Sequence, residues 1–200
     1  MQASIRDSEW SVVDVAYSHG PSPVQVVFRR APRSTQWIAW VIVAESAFLR
    51  RIGASGRGLY TARGFSRDAI VGKYSGRVVG HFPSRHAAIT APQTRRLLMR
   101  DHDKIVTLRA PHGGFNLVDG KNGGAPFIQL INDGRDTRRP NAELTEGGYL
   151  RVTNARIKPF HLDKTLAQNS QSEFLIDYGE NYWSLRDQIG TSTEHAIEVD

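Results

Sequence analysis

The stretch LINDGRDTRRPNAEL, residues 130–144, joins an apolar run to a second strand-like run through a charged link. The apolar run ends at Asn132, and a second asparagine, Asn141, follows Pro140. Two aspartates and three arginines stand between the two asparagines. Asparagine is common in ordinary loops, but its amide also offers both donors and an acceptor for holding another group. The rest of the chain must decide between these two interpretations.

The composition suits one soluble domain, or one domain with a modest extension. Hydrophobic residues make up 40% of the 200 residues, enough for a buried core, and charged residues make up 23%. The absence of cysteine excludes disulfides, thiolate zinc sites and cysteine nucleophiles. The longest apolar run, WIAWVIVA (Trp37–Ala44), is too short to span a bilayer, and the first ten residues lack the apolar core of a signal peptide. We therefore expect an intracellular protein without a membrane segment.

The chain is basic, with a formal net charge of +6 and a pI near 9.9. Most of the positive charge is arginine, and arginine pairs occur at residues 29–30, 50–51, 95–96 and 138–139. This charge favours polyanionic partners such as nucleic acid, chromatin or phosphorylated surfaces. A solvated basic surface without a dedicated partner explains it equally well, so the charge alone names no activity.

Frequent glycines and prolines, which end helices and strands, predict a mainly β protein with short helices. The chain contains 18 glycines and 9 prolines, with short β-branched and aromatic runs between them. The seventh candidate strand contains a Gly-Gly pair that suits a tight hairpin turn. The candidate strands are Val24–Phe28, Trp37–Val43, Gly58–Ala62, Ile70–Gly76, Lys104–Leu108, Phe115–Val118, Ala142–Ala155 and Glu173–Gly179.

Helical signals are weaker. Ser84–Arg100 contains helix-forming residues, but Pro92 is expected to end or restart a helix there. Phe127–Asp133 is apolar and short, so it fits either a strand or one helical turn. The hydrophilic segment Leu162–Ser172 is typical of a surface loop.

Several catalytic motifs are excluded. The glycines of GASGRG (Gly53–Gly58) fit neither the nucleophile elbow, nor the Walker loop, nor the dinucleotide fingerprint. The seven histidines have no close ligand spacing, and RDHDK (Arg100–Lys104) is better explained as a charged loop. We therefore expect no metal site.

Four separated pieces of sequence remain. They are GRGLYTARGFSRDAIVGKYSGRVV, DGKNGGAPFIQLIND, RPNAEL and EFLIDYG. In this order they resemble the SET-domain protein lysine methyltransferases. The first looks like that family's Gly-x-Gly loop and strand ending in Tyr-x-Gly. The next two look like its Asp-containing turn and the run Asn-His-Ser-Cys-x-Pro-Asn, and the last looks like Glu-Glu-Leu-x-x-Asp-Tyr-Gly. The resemblance covers about Gly53 to Trp183, and it is to a compact member without zinc-binding flanks.

The resemblance implies a SET-domain β-fold of several small sheets, with a pseudoknot-like threaded C-terminal segment. It assigns residues 51–183 to a SET-like catalytic domain with surface insertions at about 84–103 and 161–172. Residues 1–50 then form an N-terminal extension that packs on the core, and residues 184–200 form a polar tail.

The family's reaction sets the chemistry to expect. A methyl group passes from S-adenosylmethionine to a lysine amine, which must be neutral to attack although an exposed lysine is protonated at pH 7. The site therefore needs an apolar channel and aligned polar atoms, but no metal. By position, the resemblance implies that Tyr178 stands beside the reacting amine. Tyr74 either lines the lysine channel or is a structural tyrosine of the core. Ile176 takes a place that influences how many methyl groups are added, and Asn141 belongs to the threaded crossing.

The same correspondence implies a cofactor site. The turn Gly56–Arg57–Gly58 lets the backbone approach the cofactor closely, because glycine has no Cβ. Asn132 matches the asparagine that holds the amino-acid end of the cofactor. Asp133 replaces a histidine whose backbone contacts adenine in the family, and the link to Asn141 is three residues longer and basic. Trp183 is either an aromatic wall for adenine or plain core packing.

The resemblance implies an S-adenosylmethionine-dependent protein lysine N-methyltransferase, with a histone as the expected substrate and the nucleus or chromatin as the expected location. Its basic surface would then contact nucleosomal DNA or acidic histone surfaces. An alternative is a catalytically inactive SET-fold module that binds chromatin or nucleic acid, which Asp133 and the longer link favour. An unrelated β-rich nucleic-acid binder explains the charge but leaves the ordered motifs unexplained.

Overall fold

The computed structural model describes residues 4–7, 9–20, 22–51, 53–98, 104–134, 140–154, 156–180 and 184. Over these residues the protein is mainly β, with several small sheets and three short helices. This confirms the coarse fold class that the glycine and proline pattern predicts.

The elements are mostly short strands, with a few brief helical segments between them. The helices are α1 (Ala47–Arg51), α2 (Arg85–Thr90) and α3 (Pro92–Leu98), and 3₁₀ turns occupy Ile128–Leu130 and Ser170–Ser172. The strands are β1 (Ser4–Asp7), β2 (Trp10–Val15), β3 (Val24–Arg30), β4 (Trp37–Glu45), β5 (Arg57–Thr61), β6 (Phe65–Ser66), β7 (Ile70–Lys73), β8 (Arg77–Phe82), β9 (Ile105–Arg109), β10 (Phe115–Asp119), β11 (Asn132–Asp133), β12 (Ala142–Leu144), β13 (Tyr149–Val152), β14 (Arg156–Ile157) and β15 (Leu175–Ile176).

The largest sheet is antiparallel and has the order β1-β2-β3-β4-β5. One face buries Val27, Val41 and Leu59 in the main core, while the other buries Ile42 and Tyr60 in a second cluster. A strand covered on both faces needs apolar residues at every position, which explains the buried run at residues 41–44 of β4; Trp37 and Ile38, at the start of the strand, are exposed. Strands β1 to β4 therefore share a sheet with β5, which begins at Arg57 of the Gly-x-Gly turn.

A β-bulge in β4 redirects Trp40. Val27 is opposite Val41 and Phe28 is opposite Ala39, so Trp40 is the extra residue. Trp40 and Val41 both pack toward the main core, although adjacent residues in a regular strand point to opposite faces. The indole Nε1 of Trp40 donates a hydrogen bond of 2.6 Å to the Val71 carbonyl. The bulge thus fixes an aromatic side chain between the large sheet and β7.

Four smaller sheets complete the β structure of the described residues. Two have three strands, in the orders β8-β10-β9 and β12-β13-β7, and β6 pairs with β14. The predicted hairpin between β12 and β13 is confirmed, with its turn over residues 145–148 and Gly148 at φ +81°. The fourth sheet is a parallel pair, in which Asn132 lies opposite Leu175 and Asp133 opposite Ile176.

Pro92 separates the two neighbouring helices, as predicted. Ser84 caps α2 by accepting a hydrogen bond of 3.1 Å from the Ala87 N–H. Pro92 is the first residue of α3, a position where the missing N–H costs nothing. The ambiguous segment Phe127–Asp133 contains both alternatives, a 3₁₀ turn followed by the two-residue strand β11.

Candidate functional site

The parallel pair β11–β15 fixes Tyr178 just beyond its end. The Asp133 Oδ2 accepts a hydrogen bond of 3.0 Å from the Tyr178 N–H, and the Gly134 N–H donates to the Ile176 carbonyl at 2.9 Å. The Tyr178 hydroxyl donates to the Ile131 carbonyl at 2.6 Å. Both the backbone and the hydroxyl of Tyr178 are therefore held by the segment that contains Asn132.

Asn141 acts as a partner for the strand that contains β15. Its backbone N–H donates to the Leu175 carbonyl at 3.0 Å, and its side-chain Oδ1 accepts from the Leu175 N–H at 2.9 Å. Its Nδ2 donates to the Glu173 carbonyl at 2.7 Å. Because Asn141 is buried, replacing its amide would leave these backbone groups without partners. Asn141 thus ties the end of the charged link to the C-terminal motif.

Asn132 directs its amide nitrogen inward. Its Nδ2 donates to the Arg57 carbonyl at 3.2 Å and to the Glu173 Oε1 at 3.1 Å. The Oδ1 makes no hydrogen bond with any residue in the described part of the chain, and the side chain is only partly buried. With both donors satisfied, the acceptor is the part of Asn132 that remains for a ligand.

Glu173 is the buried carboxylate at the centre of this arrangement. Its Oε1 accepts a hydrogen bond of 2.5 Å from the Ser46 hydroxyl, and its Oε2 accepts from the Phe48 N–H at 3.0 Å and from the Tyr60 hydroxyl at 3.3 Å. Burial raises the pKa of the Glu173 carboxyl, and the hydrogen bonds that it accepts partly oppose this rise. Burial and the neighbouring Glu173 also raise the pKa of the Tyr60 hydroxyl.

The Gly56–Arg57–Gly58 turn contacts the same carboxylate. A Cβ added at Gly58 would lie 2.5 Å from the Glu173 Oε1, so this position has room only for glycine. The carbonyl of Arg57 accepts from Asn132, while its guanidinium donates to the Gln25 Oε1 at 2.5 Å. Partial burial lowers the pKa of the Arg57 guanidinium. The turn is therefore fixed by protein contacts, and its approach to a cofactor stays a prediction.

Tyr74 and Ile176 both lie in the main core, and Tyr178 packs against it. The Tyr74 hydroxyl donates to the Lys104 carbonyl at 2.6 Å. A channel role for Tyr74 would therefore fall to its ring rather than to its hydroxyl. Ile176 is buried as part of β15. The arrangement gives the predicted channel residues a common apolar environment.

Two parts of the predicted site lie outside the described residues. These are Trp183 and residues 135–139 of the charged link. Sequence reasoning also missed Glu173, Ser46 and Tyr60 as members of the site. The one local signal for Glu173 was its place directly before the apolar residues of EFLIDYG. A carboxylate that is buried with such residues needs several hydrogen-bond donors around it.

No family model matches this chain, and neither does any curated protein. The described residues contain no group of three or more His, Asp or Glu side chains that could hold a metal ion. Among the helices that the structure describes, none is long and apolar enough to cross a membrane.

Proposed function

We propose that this protein is an S-adenosylmethionine-dependent protein lysine N-methyltransferase with a SET-domain fold and a pseudoknot-like C-terminal crossing. The observation that carries the proposal is the parallel pairing of β11 with β15. This pairing joins Asn132 to the strand before Tyr178, and Asn141 is hydrogen-bonded to the same strand. These three residues are the ones at which separate pieces of sequence resemble the family.

The residues around Asn132 fit the amino-acid end of the cofactor. That end carries an ammonium group, which needs hydrogen-bond acceptors, and the Asn132 Oδ1 is an acceptor without an added charge. The Asn132 donors are occupied by Arg57 and Glu173, so the amide has a defined orientation. When bound, S-adenosylmethionine would supply a methyl group on a positively charged sulfonium.

Tyr178 would orient the attacking amine. Because its hydroxyl proton is donated to the Ile131 carbonyl, its oxygen lone pairs can accept an N–H from the substrate lysine. That contact would align the nitrogen lone pair and place electron density beside the developing positive charge. The apolar surroundings of Tyr74 and Ile176 would disfavour the ammonium form, which lowers the pKa of the lysine. We extend the proposal to a histone substrate and a nuclear or chromatin location.

The second candidate is a catalytically inactive SET-fold module that binds chromatin or nucleic acid. The hydroxyls of Tyr74 and Tyr178 both donate to backbone carbonyls within the protein. Neither hydroxyl therefore requires a substrate to satisfy its donor. Asp133 is likewise occupied by the Tyr178 N–H, in the place where the family has histidine.

Transfer of labelled methyl groups separates the two candidates. The protein is incubated with radiolabelled S-adenosylmethionine and with histones or nucleosomes, beside Tyr178→Phe and the control Tyr149→Phe. Tyr149 is an exposed tyrosine on β13. We expect label on lysine with the wild type and the control, and a rate about 100-fold lower with Tyr178→Phe. An unchanged rate with Tyr178→Phe would contradict the assigned role, and cofactor binding without transfer to histones or a peptide array would favour the inactive module.

A further inference from the structure

A group of cations lies around Trp40, outside the candidate site. The guanidinium carbons of Arg29 and Arg63 lie 5.0 Å and 5.1 Å from the centroid of the Trp40 ring. Arg63 also lies 5.9 Å from the Phe65 ring, which meets Trp40 edge to face. Because the Val71 carbonyl anchors the indole, these cation–π contacts hold the arginines on a fixed platform.

The short ladder β6–β14 presents further cations to solvent. Phe65 pairs with Ile157 and both are buried, so Arg156 and Lys158 point outward on the opposite face. A Cβ added at Gly64 would lie 3.4 Å from the Arg156 Nε, so this guanidinium extends along the backbone next to Arg63. We call Arg63, Arg67, Arg156 and Lys158 the β6–β14 basic surface.

The positive charge of this surface is not neutralised within the described protein. All four side chains are exposed, and none forms an ion pair with another described residue. Asp68 is the exposed acid that follows Arg67 in the chain. The nearby Arg29 differs, because it pairs with Glu9 at 2.9 Å. The surface therefore concentrates charge that an external anion would compensate.

We propose that the β6–β14 basic surface binds the phosphate backbone of a nucleic acid. An arginine fork matches phosphate oxygens. Within this surface, the contact with Trp40 orders Arg63, which reduces the side-chain freedom that Arg63 would lose on binding. A protein partner would instead need an apolar centre within its interface, and here Arg63 lies over the Trp40 and Phe65 rings. The proposal does not depend on methyl transfer.

Salt-dependent binding to duplex DNA and duplex RNA tests this surface. Fluorescence anisotropy compares the wild type with Arg63→Gln/Arg156→Gln and with the control Arg95→Gln/Arg96→Gln, which removes the same charge from exposed positions on α3. For DNA, the slope of log affinity against log salt is about −0.9 per phosphate contact, so the first variant should reduce its magnitude by about 1.8. We expect affinity about tenfold lower near 0.1 M salt for that variant, and a control that behaves like the wild type.

A charge-preserving variant tests the arginine fork. Arg63→Lys/Arg156→Lys should keep the salt slope of the wild type while binding several-fold more weakly. Circular dichroism establishes that every variant is folded. Binding of DNA, of RNA or of both identifies the source of the phosphate, and supports the proposal if it follows the same residues. Equal losses in the two glutamine variants, no loss in the first, or equally tight binding of a polyglutamate of matched charge would overturn it.

Discussion

At the scale of single residues, Glu173 links the candidate site to the first sheet. Its carboxylate accepts hydrogen bonds from Ser46 before α1, Tyr60 on β5 and Asn132 on β11. A family pattern in the sequence predicts that Asn132 and Asn141 belong to the site, but it does not reveal the partners of Glu173. They come from separate parts of the chain, and only the folded sheet brings them to one carboxylate.

Glu173→Gln tests the buried carboxylate through the pH dependence of stability. Burial raises the folded-state pKa of Glu173 above its ordinary value of 4.5, so the folded protein keeps a proton that the unfolded chain has released. The contribution of Glu173 is therefore fully present below the unfolded pKa and decreases as pH rises through the folded pKa. The measurement is urea unfolding from about pH 4 to about pH 8. The free energy of unfolding of the wild type minus that of the variant should decrease as pH rises. Between the unfolded-state and folded-state pKa of Glu173, the decrease should be about 1.4 kcal/mol per pH unit.

The control for this prediction is Glu180→Gln, which removes a carboxylate from an exposed position. We expect no comparable pH-dependent difference for this variant. A difference for Glu173→Gln that is constant across the pH range would show that the buried carboxylate does not titrate as inferred.

At the scale of elements, local signals predict turns and helix breaks better than strand lengths. Pro92 and the Gly147–Gly148 pair fix chain direction through their own backbone chemistry, and both predictions are confirmed. Within the predicted strand Glu173–Gly179, only β15 is a regular strand. Glu173 forms an isolated antiparallel bridge with Tyr60, while the N–H groups of Tyr178 and Gly179 donate to aspartate side chains. The bulge at Trp40 has no local sequence signal, since it depends on the register against β3. Strands β1, β2, β6, β8 and β14 are absent from the sequence prediction.

Gly148→Ala tests the β12–β13 turn. Gly148 has φ +81°, and a Cβ there would lie 2.8 Å from the Leu108 Cδ1. Backbone strain and this contact should lower the free energy of unfolding by roughly 1–3 kcal/mol, measured by denaturant titration. Gly147→Ala is the matched control, because its Cβ would come no closer than 3.4 Å to its neighbours. Equal effects of the two substitutions would contradict the role of the Gly148 conformation.

At the scale of the whole molecule, composition predicts the mainly β class but not how the sheets meet. The sequence predicts that residues 1–50 form an extension packing on the core; in the structure, β4 pairs with β5 and both strands contribute to the main core. The parallel contact of β11 with β15 follows from this global arrangement, because two residues per strand carry too little pattern to specify pairing. The family resemblance indicates which residues of this chain match the family's motifs, while the contacts between those residues depend on the complete fold.

The central claim is that Asn132, oriented by its hydrogen bonds to Arg57 and Glu173, forms part of a site for S-adenosylmethionine. Isothermal titration calorimetry with the cofactor tests it directly, using the wild type, Asn132→Ala and the exposed control Asn122→Ala, with folding checked by circular dichroism. Loss of a hydrogen bond to a charged ammonium should weaken binding by about tenfold or more for Asn132→Ala. We predict saturable binding by the wild type and Asn122→Ala, and weaker binding by folded Asn132→Ala. No binding by the wild type, or equal affinities for all three proteins, would contradict the claim.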